Sequence, residues 1–143
     1  MAFEETVKRT SASPATVWRI WSDASRWAEW NPDVESMTLD STFTTGAEAS
    51  MRTRAGRTHR MKITEVSPPR QFVMETRAAP GMRMRFRCTV EPDDGGARIA
   101  QGVEMSGPVG ALAARRAAPK IAKGFEPILA ALAEKAEHEE QAR

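Results

Sequence analysis

The stretch SGPVGALAARRAAPKIAKGFEPILAALAEKAEHEE, residues 106–140, decides how this chain is read. It predicts one long amphipathic helix. Ser106 stands where a cap belongs, and Pro108 suits the first turn, where its missing N–H costs nothing. Ala114, Ala118, Ile121, Phe125, Ile128, Leu129, Leu132 and Ala136 recur at spacings of three and four and so share one face. Arg116, Lys120, Lys123, Glu126, Glu134 and Glu137 fall on the other side or its flanks. The apolar stripe is uneven, alanine first and then Ile, Phe and Leu. Whatever packs on it is expected to meet open space at the first half and bulk at the second. Pro127 removes the bond to the Lys123 carbonyl and predicts a bend there.

Upstream of this arm the period is two. Phe3, Glu5 and Val7 alternate with Glu4, Thr6 and Lys8 in a short first strand. Ser13-Pro14 opens a helix with Val17, Trp18, Ile20, Trp21 and Ala24 on its apolar face. A shorter helical turn carries Trp27 and Trp30, and Asn31-Pro32 ends it, because a residue before proline avoids the helical region. These tryptophans read as a packing hub, or as a hub of which one or two rings also line a pocket. Alternation then resumes around Met37 and Leu39, Ala47 to Met51, Met61 and Ile63, and Phe72 to Thr76. The clearest row is Met82, Met84, Phe86, Cys88 and Val90 against Arg83, Arg85 and Arg87. Asp93-Asp94-Gly95-Gly96 is a hairpin signal, and Ile99, Val103 and Met105 continue on its far side. About seven strands with short links predict an antiparallel sheet, apolar on one face only. The helices are the elements available to cover that face.

A chain of 143 residues suits one domain, with a core over about 3–137 and a polar C-terminal tail. Residues 1–50 carry 4 basic and 8 acidic side chains, whereas residues 51–100 carry 11 basic and 5 acidic. The lone cysteine, Cys88, excludes an internal disulfide and fits a reducing compartment. Residues 1–10 are charged and lack the apolar run of a secretory leader, and no segment approaches the roughly 20 apolar residues that span a bilayer. A cytoplasmic location is expected.

Several stretches carry a family resemblance. They are Ser11-Ala12-Ser13-Pro14-Ala15-Thr16-Val17-Trp18, Ser22-Asp23 and Trp27-Ala28-Glu29-Trp30-Asn31-Pro32, followed by Glu65-Val66-Ser67-Pro68-Pro69-Arg70-Gln71-Phe72 and Asp93-Asp94-Gly95-Gly96-Ala97-Arg98. Together with the order of elements they resemble the START/Bet v1-like (SRPBCC) superfamily, in its polyketide cyclase/dehydrase-like branch. The resemblance implies an α+β helix-grip fold, a curved sheet wrapped around the C-terminal helix with a hydrophobic cavity between them. It also implies a lipid, sterol, polyketide or hormone as ligand, with only some members acting as enzymes.

The residues support a cavity independently. The methionines beyond Met1, namely Met37, Met51, Met61, Met74, Met82, Met84 and Met105, all take the apolar side of their strands. Methionine is flexible and suits surfaces that adapt to varied apolar partners, although it also plugs cores. The expected cavity wall is Trp21, Met37, Leu39, Met51, Met61, Ile63, Phe72, Met74, Met82, Met84, Phe86, Met105, Ala114, Ala118, Ile121 and Phe125.

Chemistry is harder to read from the chain. It has no tyrosine. His59 stands near the turn at Gly56 and is expected to be exposed, and His138 lies in the polar tail. Glu5, Glu35 and Glu65 read as rim or surface groups, and Cys88 as inert packing. No nucleophile–base–orienter set, metal-ligand spacing or glycine-rich phosphate loop is present, so no catalytic residue, metal or cofactor is expected. Arg52, Arg54, Arg60, Lys62, Arg77, Arg83, Arg85, Arg87 and Arg98 fall on the polar side of the sheet. Cross-strand pairing with Glu48, Glu75, Glu91 and Glu104 is one reading of that face, and docking to an anionic membrane surface is the other. Nucleic acid fits less well, since no aromatics interleave for stacking. The leading expectation is a carrier or binder of a small hydrophobic ligand; the alternatives are a cyclase or dehydratase using the same cavity, and an interaction module using the basic face.

Overall fold

The computed structural model describes residues 3–142. The elements run β1 (Phe3–Thr10), α1 (Pro14–Ser22), a 3₁₀ helix (Ala24–Glu29), β2 (Val34–Leu39), β3 (Glu48–Thr53), β4 (Thr58–Ser67), β5 (Gln71–Ala79), β6 (Met82–Asp93), β7 (Gly96–Ser106), α2 (Gly107–Lys123) and α3 (Phe125–Gln141). The strands form one seven-stranded sheet in the order β1-β7-β6-β5-β4-β3-β2. Every neighbouring pair is antiparallel. This is the helix-grip architecture. The α1 and 3₁₀ segment carries the chain from one sheet edge to the other, so both lie under the same face as the C-terminal helices.

Local chemistry explains the elements. Ser13 Oγ accepts the Thr16 N–H at 3.3 Å and Pro14 follows in the first turn, which starts α1. Asp94 and Gly95, with φ of 44° and 79°, form the two-residue turn between β6 and β7; positive φ at both positions matches the strands' twist. Register then aligns the inner face. Ala49, Met61, Thr76, Met84 and Met105 stand abreast, and Ile63, Met74, Phe86 and Val103 form the next row.

The C-terminal arm is bent, as its sequence predicts, and the bend is a full break. α2 ends at Lys123 and α3 begins at Phe125. Pro127 lies in the first turn of α3, where a missing N–H removes no helical bond. Ser106 holds the cap position of α2, but its side chain makes no capping bond. The carbonyl of Gly81, in the β5–β6 hairpin, instead accepts the Val109 and Gly110 N–H groups at 2.9 and 3.2 Å. Gly107 permits this approach: its φ is +87°, and a Cβ there would stand 2.5 Å from that same carbonyl oxygen.

The first strand turns its pattern outward. Phe3 and Val7 are exposed, while Thr6 and Thr10 face the helices. Thr6 Oγ donates to the Ala122 carbonyl, and Thr10 Oγ donates to Glu137 at 2.7 Å. An edge strand beneath a helix backbone gains more from these bonds than from apolar contact. Phe3 crosses the outer face over Gly102, where a Cβ would collide with its ring, and the Arg87 guanidinium lies 6.0 Å from the ring centroid.

Candidate functional site

Two different packings lie between sheet and helices. Under α2, Ala114, Ala118 and Ala122 are buried against Val103 and Met105, with Met82, Met84 and Ile121 partly buried beside them. Alanine lets the helix lie close on the strands, so the space expected at this half is closed. The opening lies further along. A cavity of about 280 Å³ sits between β3–β7, the 30–34 segment and the start of α3, where Phe125 and Ile128 reach its wall.

Aromatic rings frame it. Trp21 and Trp27 stand 5.3 and 6.1 Å from Phe72, Trp27 is 6.1 Å from Trp30, and Phe86 meets Phe125 edge-on at 6.2 Å. Such offset and edge contacts hold large rings in fixed positions. Trp21, Trp27 and Trp30 therefore serve both as a packing hub and as cavity wall.

Half of the residues expected at the site are in this wall: Trp21, Met51, Met61, Phe72, Met74, Met84, Phe86 and Phe125. Met37, Leu39 and Ile63 belong to the neighbouring core near the β2 edge. Met82, Met105, Ala114, Ala118 and Ile121 belong to the closed packing under α2. His59, expected to be exposed, is half-buried and lines the mouth with Asp33 and Thr53. It shares the inward parity of Met61 and Ile63 on β4, which was the available signal. Gln101 was missed in the same way: it occupies the inward position between Ile99 and Val103 on β7.

The polar groups in the wall fall into two classes. Thr76 Oγ donates to the Arg60 carbonyl at 2.8 Å, Asn31 Oδ1 accepts the Asp33 N–H at 2.9 Å, and Trp27 Nε1 donates to the Trp21 carbonyl at 2.9 Å. These bonds are internal. By contrast, the Gln101 amide makes no side-chain hydrogen bond among the described residues. Among the described residues Trp30 Nε1 is buried without a partner. Burial pushes the Cys88 thiol up, so it stays protonated and offers no thiolate. The wall contains no lysine or arginine, and its single carboxylate, Asp33, is at the exposed mouth. Among the described residues no group of His, Cys, Asp and Glu is placed to hold a metal.

The outer face of the sheet is a charge lattice. Register sets Glu48, Lys62, Glu75, Arg85 and Glu104 abreast across five strands, alternating in sign. Arg83 and Arg85 stand 3.5 and 3.6 Å from Glu75, Arg98 stands 3.3 Å from Glu91, and Arg52 stands 3.5 Å from Glu35. A hollow of about 1230 Å³ on this side is larger than the inner cavity but open and lined by both charges. Water competes there with any apolar guest, so the smaller, less open and more apolar cavity is the better ligand site.

Comparison with known proteins agrees with this geometry. The sequence matches the family described as "Polyketide cyclase / dehydrase and lipid transport" over residues 2–137. No curated protein matches it. Among solved structures, a protein from Mesorhizobium loti superposes with a TM-score of 0.76 at 15% identity, covering 96% of this chain and 98% of that one. A START superfamily protein from Mycobacterium smegmatis gives 0.70 at 16% identity, covering 95% and 97%. The di-domain ARO/CYC BexL from the BE-7585A biosynthetic pathway gives 0.72 at 18% identity, covering 95% of this chain and 50% of that one. At these identities the likeness to solved structures shows the fold alone. The family match, spanning nearly all the residues that build sheet, cavity and C-terminal arm, shows that the chain belongs to the polyketide cyclase/dehydrase and lipid transport family.

Proposed function

We propose that this protein binds a small, neutral, mainly apolar ring compound in the cavity beside Phe125 and Ile128. The observation that carries the reading is a partly enclosed, mainly apolar space whose wall holds one amide, Gln101, with no side-chain hydrogen bond among the described residues. A cavity of roughly 150 Å³ suffices for benzene. The 280 Å³ here suits two or three fused rings. With no lysine or arginine in the wall, burying a ligand carboxylate would be costly, so a fatty acid or other anion fits poorly. The Gln101 amide can donate to, or accept from, a hydroxyl or ketone oxygen on the ligand.

The test uses 2-naphthol, naphthalene and 2-naphthoate, followed by quenching of the wall tryptophans and by calorimetry. Saturable binding of 2-naphthol, roughly fivefold tighter than naphthalene for one net hydrogen bond of about 1 kcal/mol, is expected. Gln101→Leu should reduce 2-naphthol to the naphthalene level, and 2-naphthoate should bind most weakly. Failure of both neutral compounds to bind would overturn the cavity reading. Unchanged selectivity in the leucine variant would overturn the role of Gln101 alone.

A further inference from the structure

The solvent side of α2 sets exposed apolar side chains among exposed cations. Leu112 is 85% exposed and Val109 45% exposed. Arg115, Arg116, Lys120 and Lys123 are exposed around them. At 3.6 residues per turn, Val109, Leu112, Arg116, Pro119 and Lys123 share a sector of about 80°, with Arg115 and Lys120 on its flanks. The helix carries no Asp or Glu. Among the described residues none of its four cations has an ion-pair partner, whereas on the sheet Arg52, Arg83, Arg85 and Arg98 are paired with glutamates and their unpaired neighbours Arg60 and Arg77 lie among carboxylates.

We infer that this face docks on an anionic lipid bilayer surface. Leu112 and Val109 enter the boundary between headgroups and acyl chains, while the cations meet lipid phosphates. Charge decides among occupants. A second copy placed face to face would bring eight cations together with no carboxylate between them. A folded protein partner needs about 800 Å² on each side, far more apolar contact than one leucine and one valine provide. Contact would be peripheral, since no helix among the described residues is long and apolar enough to cross a membrane. The position is also useful. The β5–β6 hairpin that accepts Val109 and Gly110 at its Gly81 carbonyl carries Ala78, a residue of the cavity wall, in its first arm. Docking through α2 therefore brings one side of the cavity mouth toward the lipid surface. The inference does not depend on what the cavity holds.

The experiment is co-sedimentation of the full chain with phosphatidylcholine vesicles, with and without about one-third phosphatidylglycerol, at ~0.1 M and ~0.5 M NaCl. Binding is expected only to the anionic vesicles, and weakened by salt. Each cation near such a surface contributes roughly fivefold, so Arg115→Glu with Arg116→Glu should lower binding by thirtyfold or more. Leu112→Ser should lower it less, and in a way that added salt does not mimic. Arg60→Glu with Arg77→Glu on the sheet should leave it unchanged. All these side chains are exposed, and circular dichroism checks that each variant is folded. Absence of binding, equal binding to neutral vesicles, or loss of binding in the sheet variant alone would each overturn the inference. So would a dimer in sedimentation velocity that the Leu112 variant abolishes.

Discussion

α2 and α3 are each 17 residues long and lie under the same sheet, yet they meet it by opposite means. α2 buries Gly110, Ala114, Ala118 and Ala122, side chains so short that its backbone comes down onto the strands and closes the gap. α3 starts with longer buried side chains, Phe125, Ile128, Leu129 and Leu132, and only then turns to Ala133 and Ala136. Space survives where the two regimes meet, because Phe125 props the helix up before the larger residues have filled the volume beneath it. A narrow stripe gives contact and a wide stripe gives stand-off, so the cavity sits at the change from one to the other.

The largest test of this contrast is on the α3 side. Leu132 is fully buried, and Leu132→Ala should cost about 2–5 kcal/mol, read as a fall in the urea midpoint at unchanged slope. On the α2 side the sign of the volume change matters. Ala118 is also fully buried, and Ala118→Leu should cost about 1–3 kcal/mol by overpacking. If the leucine variant is as stable as the parent, there is a void beneath α2 and the contrast fails.

A third substitution separates stability from occupancy. Ala78 is exposed at the cavity mouth, so Ala78→Trp should change stability by no more than about 0.5 kcal/mol while abolishing the calorimetric signal for 2-naphthol. Retained binding would move the mouth elsewhere.

The smallest effect concerns how α3 is tied to α1. Burial raises the Glu139 carboxyl, but hydrogen bonds from Arg19 and Lys135 outweigh it and leave the group below its usual range. A carboxylate depressed in the folded state adds stability above its unfolded pKa, and that stability is lost as pH falls through the folded value. The pairs are partly exposed, so Glu139→Gln should cost less than about 1 kcal/mol at neutral pH. The difference between variant and parent should vanish in acid. α2 has no carboxylate of its own, so the same acid titration should leave its packing untouched.

Much of this was legible in the residues. Period-two alternation located the strands, Ser13-Pro14 and Asn31-Pro32 bounded the first helical segment, and Asp94-Gly95 marked the last hairpin. The uneven stripe announced two kinds of packing. Its consequence was read the wrong way round, since small side chains were expected to leave space when they in fact allow approach. Gln101 carries no signal besides its inward parity, and His59 reads as exposed because a polar residue beside a turn is easily taken for a surface one. Which face of β1 turns inward is not legible from its alternation, and the Ala122 carbonyl and Glu137 account for the inward threonines.

The sequence by itself determined the element order, the apolar face of the sheet, the bend in the C-terminal arm and the row of cations along residues 115–123. Those follow from periodicity, turn chemistry and charge, which are local. Only the tertiary structure decided that Gly81 caps α2, that Arg52, Arg83, Arg85 and Arg98 pair with glutamates on other strands, and where the cavity opens. Each of these depends on how far one backbone stands from another, and that distance is set by side chains far apart in the chain.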